Sequence, residues 1–328
     1  MFKWQGSAWT AWRKVRARLP HAVLLQSGNG WGELEFARTV AQSLLCEKPK
    51  ANSEPCGQCQ ACGWFALGNH PDFRLVVPES LAPEPEEGGE PGKKRSDQVR
   101  IEQVRELADF LSVGTHRAGL RVILIYPAEA MNANTQNALL KSLEEPPPST
   151  VFLVVSTQPD RLLPTVRSRC LKFTLPVPDP AEVLAWLKEE GVAHPDSALA
   201  AAGGAPLAAL QAAGTEADRL AFVDRIGRPG FDPVALAETV QGVPLWDLVG
   251  WLQRWTFDLL LSRATGGVRY HLGQEKRIGD IAKRCSLAAI TAYLRRLAQA
   301  RALAKHPLNP KLFVEDLLLQ YQKMLGQP

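Results

Sequence analysis

Four cysteines crowd into seventeen residues of this chain: Cys46, then Cys56, Cys59 and Cys62 in PCGQCQACG, a spacing of C-x9-C-x2-C-x2-C. Thiolates at such spacing suit a tetrahedral Zn²⁺, which would take up all four sulfurs and leave no open position for catalysis. The expected role is therefore structural, a clip on the loop that follows a helix. A cluster of iron and sulfide also uses four thiolates, and a C-x2-C pair can cycle redox equivalents, so both remain alternatives at this point. Cys170 and Cys285 stand alone and read as small buried residues. The six histidines show no paired metal spacing.

A second candidate lies in HAVLLQSGNGWGEL at 21–34, which reads as a buried strand, a glycine loop and the start of a helix. In the G-x-x-x-x-G-K-[ST] loop, backbone N–H groups wrap phosphates, the Lys neutralises them and the hydroxyl residue holds Mg²⁺. With Gly32 on the second glycine, Ser27 falls on the first, Glu33 on the lysine and Leu34 on the hydroxyl residue, with Gly30 inside the loop. A carboxylate then points where a polyphosphate would lie, and no side chain remains for the metal. The expectation is a phosphate-loop architecture without a bound nucleotide of its own.

The elements that must carry these groups follow from periodicity. Ala22–Gln26 reads as a strand and Glu33–Leu45 as a helix; 72–77 reads as a strand, 99–111 as a helix and 121–126 as a strand. A helix at 134–145 is stopped by Pro146, Pro147 and Pro148, and a strand follows at 151–156. Alternating strands and helices imply a parallel sheet covered on both faces, with ligand loops at the carboxyl ends of its strands. Residues 79–97, rich in Pro, Glu and Gly, read as a mobile surface loop. After Phe173 the strand signal stops. Residues 180–215 read as a small helical unit with a Gly-Gly break at 203–204, and the rest as helices. Trp246, Trp251, Trp255 and Leu259 recur at helical steps and read as one buried seam.

At 328 residues, with 45% hydrophobic and 22% charged residues, the chain is ordinary for a soluble protein of two or three domains. It has no apolar run long enough to span a membrane, and its N-terminus, MFKWQGSAWTAWRK, lacks a secretory apolar stretch, so a cytoplasmic location is expected. The net charge of +4 is mild, but from Trp251 onward 13 Lys/Arg face 5 Asp/Glu. That excess suits contact with nucleic acid, an acidic partner, or plain solvated helix faces.

Several short motifs add to this frame. NALLKSLEEPP at 137–147 follows the strand RVILIY, LLPTVRSRCLKF at 162–173 follows VFLVVS, and NPKLFVEDLLLQ stands at 309–320. Together with the cysteine spacing and the glycine loop, they resemble the bacterial DNA polymerase III clamp-loader family of AAA+ proteins, in particular its delta-prime branch. The resemblance covers the full length, most strongly 1–175. It implies a RecA-like parallel-sheet domain at 1–175 that carries the zinc module (46–62), a helical lid at 176–215 and an all-α collar domain at 216–328.

The resemblance also separates motor subunits from the non-hydrolysing branch. Besides the 27–34 loop, Tyr126-Pro127-Ala128-Glu129 stands where a motor carries acidic residues for Mg²⁺, and GGAPLAAL at 203–210 lacks the arginine that would reach nucleotide. What is kept is Ser168-Arg169-Cys170. In the family this arginine acts in trans, reaching the γ-phosphate of ATP held by a neighbour, where a guanidinium stabilises charge on the transferred phosphoryl group. Arg167 is adjacent, but Arg169 matches the motif position. Lys141, on the helix ending in LEEPP, could contact a phosphate of primer–template DNA or simply face solvent. Thr157 matches a polar sensor position.

The partners implied are gamma/tau motor subunits, a delta subunit, the β sliding clamp and primed DNA, with no membrane. The cofactors implied are structural Zn²⁺ and no ATP in the chain's own site, hence no intrinsic ATPase within the polymerase holoenzyme. The competing readings are an active motor ATPase of the gamma/tau kind and a stand-alone zinc-containing DNA-binding protein.

Overall fold

The computed structural model describes residues 1–83, 95–116, 119–304, 306 and 308–326. The chain divides into two compact units, Met1–Glu182 and Val183–Pro328.

The first unit is built on β1 (Ala22–Gln26), β2 (Phe73–Val76), β3 (Arg121–Ile125), β4 (Thr150–Ser156) and β5 (Leu171–Thr174). All pairs are parallel, in the order β2-β3-β4-β1-β5. The apolar, β-branched runs VILI and VFLVV lie in the middle of this order and are wholly buried, as a sheet covered on both faces requires. Alternate residues serve opposite faces. Val23, Leu25, Val122, Leu124, Leu153 and Val155 pack under α1 (Gly6–Arg16), α2 (Glu33–Leu45) and α3 (Gln60–Ala66) through Trp9, Trp12, Phe36, Val40 and Phe65. Leu24, Ile123, Ile125, Phe152 and Val154 face α4 (Ile101–Ser112), α5 (Ala133–Glu144) and α6 (Pro164–Ser168).

Helix ends follow local chemistry. The Asn132 side chain accepts the Thr135 N–H to start α5, and the proline run stops it. β5 lies at a sheet edge with three of its four residues exposed, so it carries little periodicity for the sequence to announce. Of the expected surface loop at 79–97, residues 84–94 lie outside the described residues. Glu79 opens a short 3-10 turn, accepts the Ser96 N–H at 3.1 Å and pairs with Arg100 at 2.8 Å.

The second unit is helical. α7 (Pro180–Glu189) spans its start. α8 (Pro195–Ala201), α9 (Pro206–Ala212), α10 (Glu216–Ile226) and α11 (Pro233–Thr239) precede the long α12 (Leu245–Thr265), followed by α13 (Glu275–Arg284), α14 (Leu287–Leu303) and α15 (Pro310–Met324). α12 packs on α13 and α14, and α15 on α11 and α14. Trp251, Trp255 and Leu259 are buried as the seam predicts. Trp246 departs from it: it is 39% exposed, with the Arg301 guanidinium 3.9 Å from its ring centre. At the first turn of α12 the apolar stripe has run past the core, and a cation covers the ring instead.

Candidate functional site

The glycine loop joins β1 to α2 at the carboxyl edge of the sheet, where a phosphate would sit over the helix start. Gly32 is left-handed at φ +81°, and a Cβ there would lie 2.5 Å from the Phe2 ring. A Cβ on Gly28 would lie 2.3 Å from the Trp31 indole, so the ring lies directly against the loop backbone. The N-terminal segment ties the loop down. Gln5 Nε2 donates to Gly32 O at 2.7 Å and to Trp31 O at 3.2 Å, and Trp4 Nε1 donates to Trp31 O at 3.0 Å.

Glu33 turns back into this cradle and is 3% exposed. Its carboxylate accepts the N–H of Trp31 at 3.0 Å and the more distant N–H of Gly30 at 3.4 Å. The Tyr126 hydroxyl, from the end of β3, donates to it at 3.0 Å. Loop amides of the kind that an intact loop aims at phosphate thus face a carboxylate of the chain itself. Burial, reinforced by the Glu33 charge, pushes the Tyr126 phenol well above its ordinary range, so it stays a donor.

Next to it, Glu129 Oε1 accepts Thr157 Oγ1 at 2.6 Å and Thr157 N at 3.1 Å. The sensor-position threonine is therefore engaged within the subunit. Tyr126 as the partner of Glu33, and the roles of Phe2, Trp4 and Gln5, are what sequence reading misses. The aromatic-rich MFKWQGSAW was the available signal.

The four sulfurs form the second site. Cys46 ends α2, Cys59 caps α3 and Cys62 lies on its first turn. All four Sγ atoms lie within 4.8 Å of one another, and the Cys46–Cys59 and Cys56–Cys62 pairs are each 3.9 Å apart. Tetrahedral ligands at a metal–sulfur distance of about 2.3 Å lie about 3.8 Å from one another, so the spacing fits one shared ion. A multi-iron cluster puts thiolates on separate irons and spreads them further apart. All four are free thiols, none joined in a disulfide.

Backbone N–H groups of Cys56, Cys59 and Cys62 point at Cys46, Cys56 and Cys59 sulfurs at 3.3, 3.3 and 3.4 Å. Amides of Gln58 and Cys59 bring the Cys56 thiol down to about 6, while burial pushes Cys62 up to about 12. A divalent cation would hold both as thiolates. Trp9 Nε1 to Asn52 O and Arg16 Nη1 to Ser53 O fasten the intervening loop to α1.

Arg169 ends α6, with Nη1 donating to Thr165 O at 2.8 Å and Nη2 pairing with Glu144 Oε1 at 2.5 Å. Its side chain keeps 33% exposure. Arg167 points elsewhere, to Asp160 at 3.0 Å. Glu144 belongs to LEEPP, so the two family motifs meet in one ion pair. Ser168 donates to Thr165 O, and Cys170 is buried, which lifts its thiol to about 11. Lys141 is exposed in the last turn of α5.

A parallel sheet of this order, a phosphate-type loop at its carboxyl edge and a helical unit after it define an AAA+ class protein whose own loop is occupied by its own side chains. Comparison with known proteins narrows the class. A family model described as DNA polymerase III, delta subunit, matches residues 10–179. The DNA polymerase III subunit delta' of Pseudomonas aeruginosa is 36% identical, over 99% of this chain and 98% of its own. The chain belongs to this DNA polymerase III delta' family.

The tau subunit of Escherichia coli is 31% identical, but over 63% of this chain and 29% of tau, so the delta' reading holds over the motor-subunit alternative. A gamma subunit-related protein of Thermotoga maritima overlays 97% of this chain and 99% of its own with a TM-score of 0.48 and 17% identity. No helix among the described residues is long and apolar enough to cross a membrane.

Proposed function

We propose that this chain is the non-hydrolysing arm of a DNA polymerase III clamp loader: it binds no ATP of its own and lends Arg169 to the ATP site of a neighbouring gamma/tau subunit. The observation that carries this reading is the Glu33 carboxylate seated on the loop amides. A nucleotide phosphate would have to displace a buried like charge and replace its bonds. Family membership and the partly exposed guanidinium at the end of α6 support the second half of the reading.

In this reading a delta subunit completes the complex, which places the β clamp on primed DNA in the cytoplasm, at the replisome on the nucleoid. The domains are 1–175, 176–215 and 216–328, the last forming the collar. Zn²⁺ held by Cys46, Cys56, Cys59 and Cys62 clips the module structurally, and Lys141, exposed in the last turn of α5, is the candidate for contact with a DNA phosphate. The expected outcome of reconstitution with motor and delta subunits is that Arg169→Ala assembles normally but lowers DNA-stimulated ATP turnover by a factor of 10³ or more at the site it serves, the order arginine fingers supply. Unchanged turnover and clamp loading would overturn the assignment. ATP hydrolysis by the isolated chain, abolished by changes in 27–34, would restore the motor alternative.

A further inference from the structure

In the helical unit, α8, α9, α10 and α12 enclose a cleft of about 40 Å³ whose walls are mostly small and apolar: Ala198, Ala201, Ala208 and Ala212, with Trp251 at one side. Two guanidiniums, Arg219 and Arg254, line it, with one carboxylate, Glu216. Arg219 is 5% exposed, and its Nη2 has no hydrogen-bond partner. The Glu216 Oε1 lies 3.6 Å away, an ion pair too long for a hydrogen bond, and itself has no hydrogen-bond partner. Arg254 is half-buried and close enough to Arg219 for the two cations to repel.

The surrounding charges do not balance this pair. Asp247 and the Tyr270 phenol face Arg254, but Arg301 also repels it. Arg301 is itself spent on Gln253 at 2.9 Å and on the Trp246 ring. Among the residues that line the cleft itself, two guanidiniums, Arg219 and Arg254, face one carboxylate, Glu216, an excess of one positive charge beside the alanine wall. A buried guanidinium nitrogen left without a hydrogen bond is costly. One bridging water would serve Glu216 Oε1 and Arg219 Nη2, yet it would leave the charge in place. The cleft exceeds the roughly 10–15 Å³ that one water needs, so it has room for a larger occupant.

We propose that this cleft is a binding site for one small monovalent anion from solvent, a halide or a formate-sized carboxylate, held between the guanidiniums of Arg219 and Arg254. The anion cancels the excess charge and ties the 195–212 helices to α12. This assignment does not depend on the clamp-loader reading.

The test uses the full chain with chloride titrated against gluconate at constant ionic strength. The expected results are a melting temperature that rises with chloride and excess ³⁵Cl line broadening. Arg254→Met removes both, and Glu216→Gln tightens the apparent Kd by at least about tenfold, because a neighbouring like charge is gone. Bromide-soaked crystals of the unaltered protein give an anomalous peak in the cleft between the two guanidiniums. Equal melting temperatures in chloride and gluconate, broadening that survives Arg254→Met, or water alone in the bromide map would each overturn the proposal.

Discussion

Glu33 shows how one residue changes the meaning of a loop. Its carboxylate serves two backbone amides and the Tyr126 hydroxyl while remaining buried. Glu33→Ala strands all three donors, so urea denaturation of the isolated chain should show a loss of about 2–3 kcal/mol, the summed cost of three part-buried donors left unsatisfied. Glu33→Gln keeps an acceptor and should lose about half as much. A loss under about 0.5 kcal/mol for Glu33→Ala would mean the carboxylate does not hold the loop. Neither variant gains ATP turnover, because Leu34 and Tyr126 still supply nothing to a metal.

Arg169 poses a different question. Its bond to Glu144 is half exposed, so Glu144→Ala should leave stability within about 1 kcal/mol. In the reconstituted complex the same change should lower turnover a few-fold, far less than Arg169→Ala, through loss of pre-positioning. Loss of stability without loss of turnover would make the pair purely architectural. These partners were hidden in sequence for one reason. Glu33 and Tyr126 are 93 residues apart, and Arg169 and Glu144 meet only when α5 and α6 pack on one face of the sheet.

Elements were legible in proportion to their periodicity. The buried strands β1, β3 and β4 and helices α2 and α5 announce themselves by apolar runs, caps and prolines, and they fall within a residue or two of expectation. α1 does not: its buried tryptophans lie among basic residues, and only docking on Phe36 and Phe173 gives them meaning. The cysteine module was legible because ligand spacing in sequence is close to ligand spacing in space. Its stability should depend on metal. Metal analysis should return one zinc per chain, and chelation or Cys59→Ser should strip hydrogen-exchange protection from 46–66 while β3 and β4 stay protected. Retained protection after verified metal loss, or iron in place of zinc, would refute the structural-zinc assignment.

At the scale of the whole molecule, polar groups buried in each unit make stability depend on pH at the alkaline end. In the helical unit Tyr321 accepts the Trp255 N–H at 2.7 Å, and Tyr293 donates to Leu317 O at 2.9 Å. Burial drives both phenols far above their ordinary range, as it does Tyr126 in the sheet unit. A folded-state pKa raised above the unfolded value gives stability that is complete below pH 10 and lost as pH rises through the folded value. The unfolded chain ionises these phenols near pH 10 and the folded chain does not. Tyr293 and Tyr321 together should therefore cost about 3 kcal/mol of unfolding free energy per pH unit above that point. Denaturation midpoints at pH 9, 10 and 11 measure the slope, and tyrosinate absorbance reports which phenols ionise. Tyr293→Phe and Tyr321→Phe should each lower the slope by about 1.4 kcal/mol per pH unit, whereas ionisation of all three phenols in the still-folded protein would contradict the burial that holds them neutral.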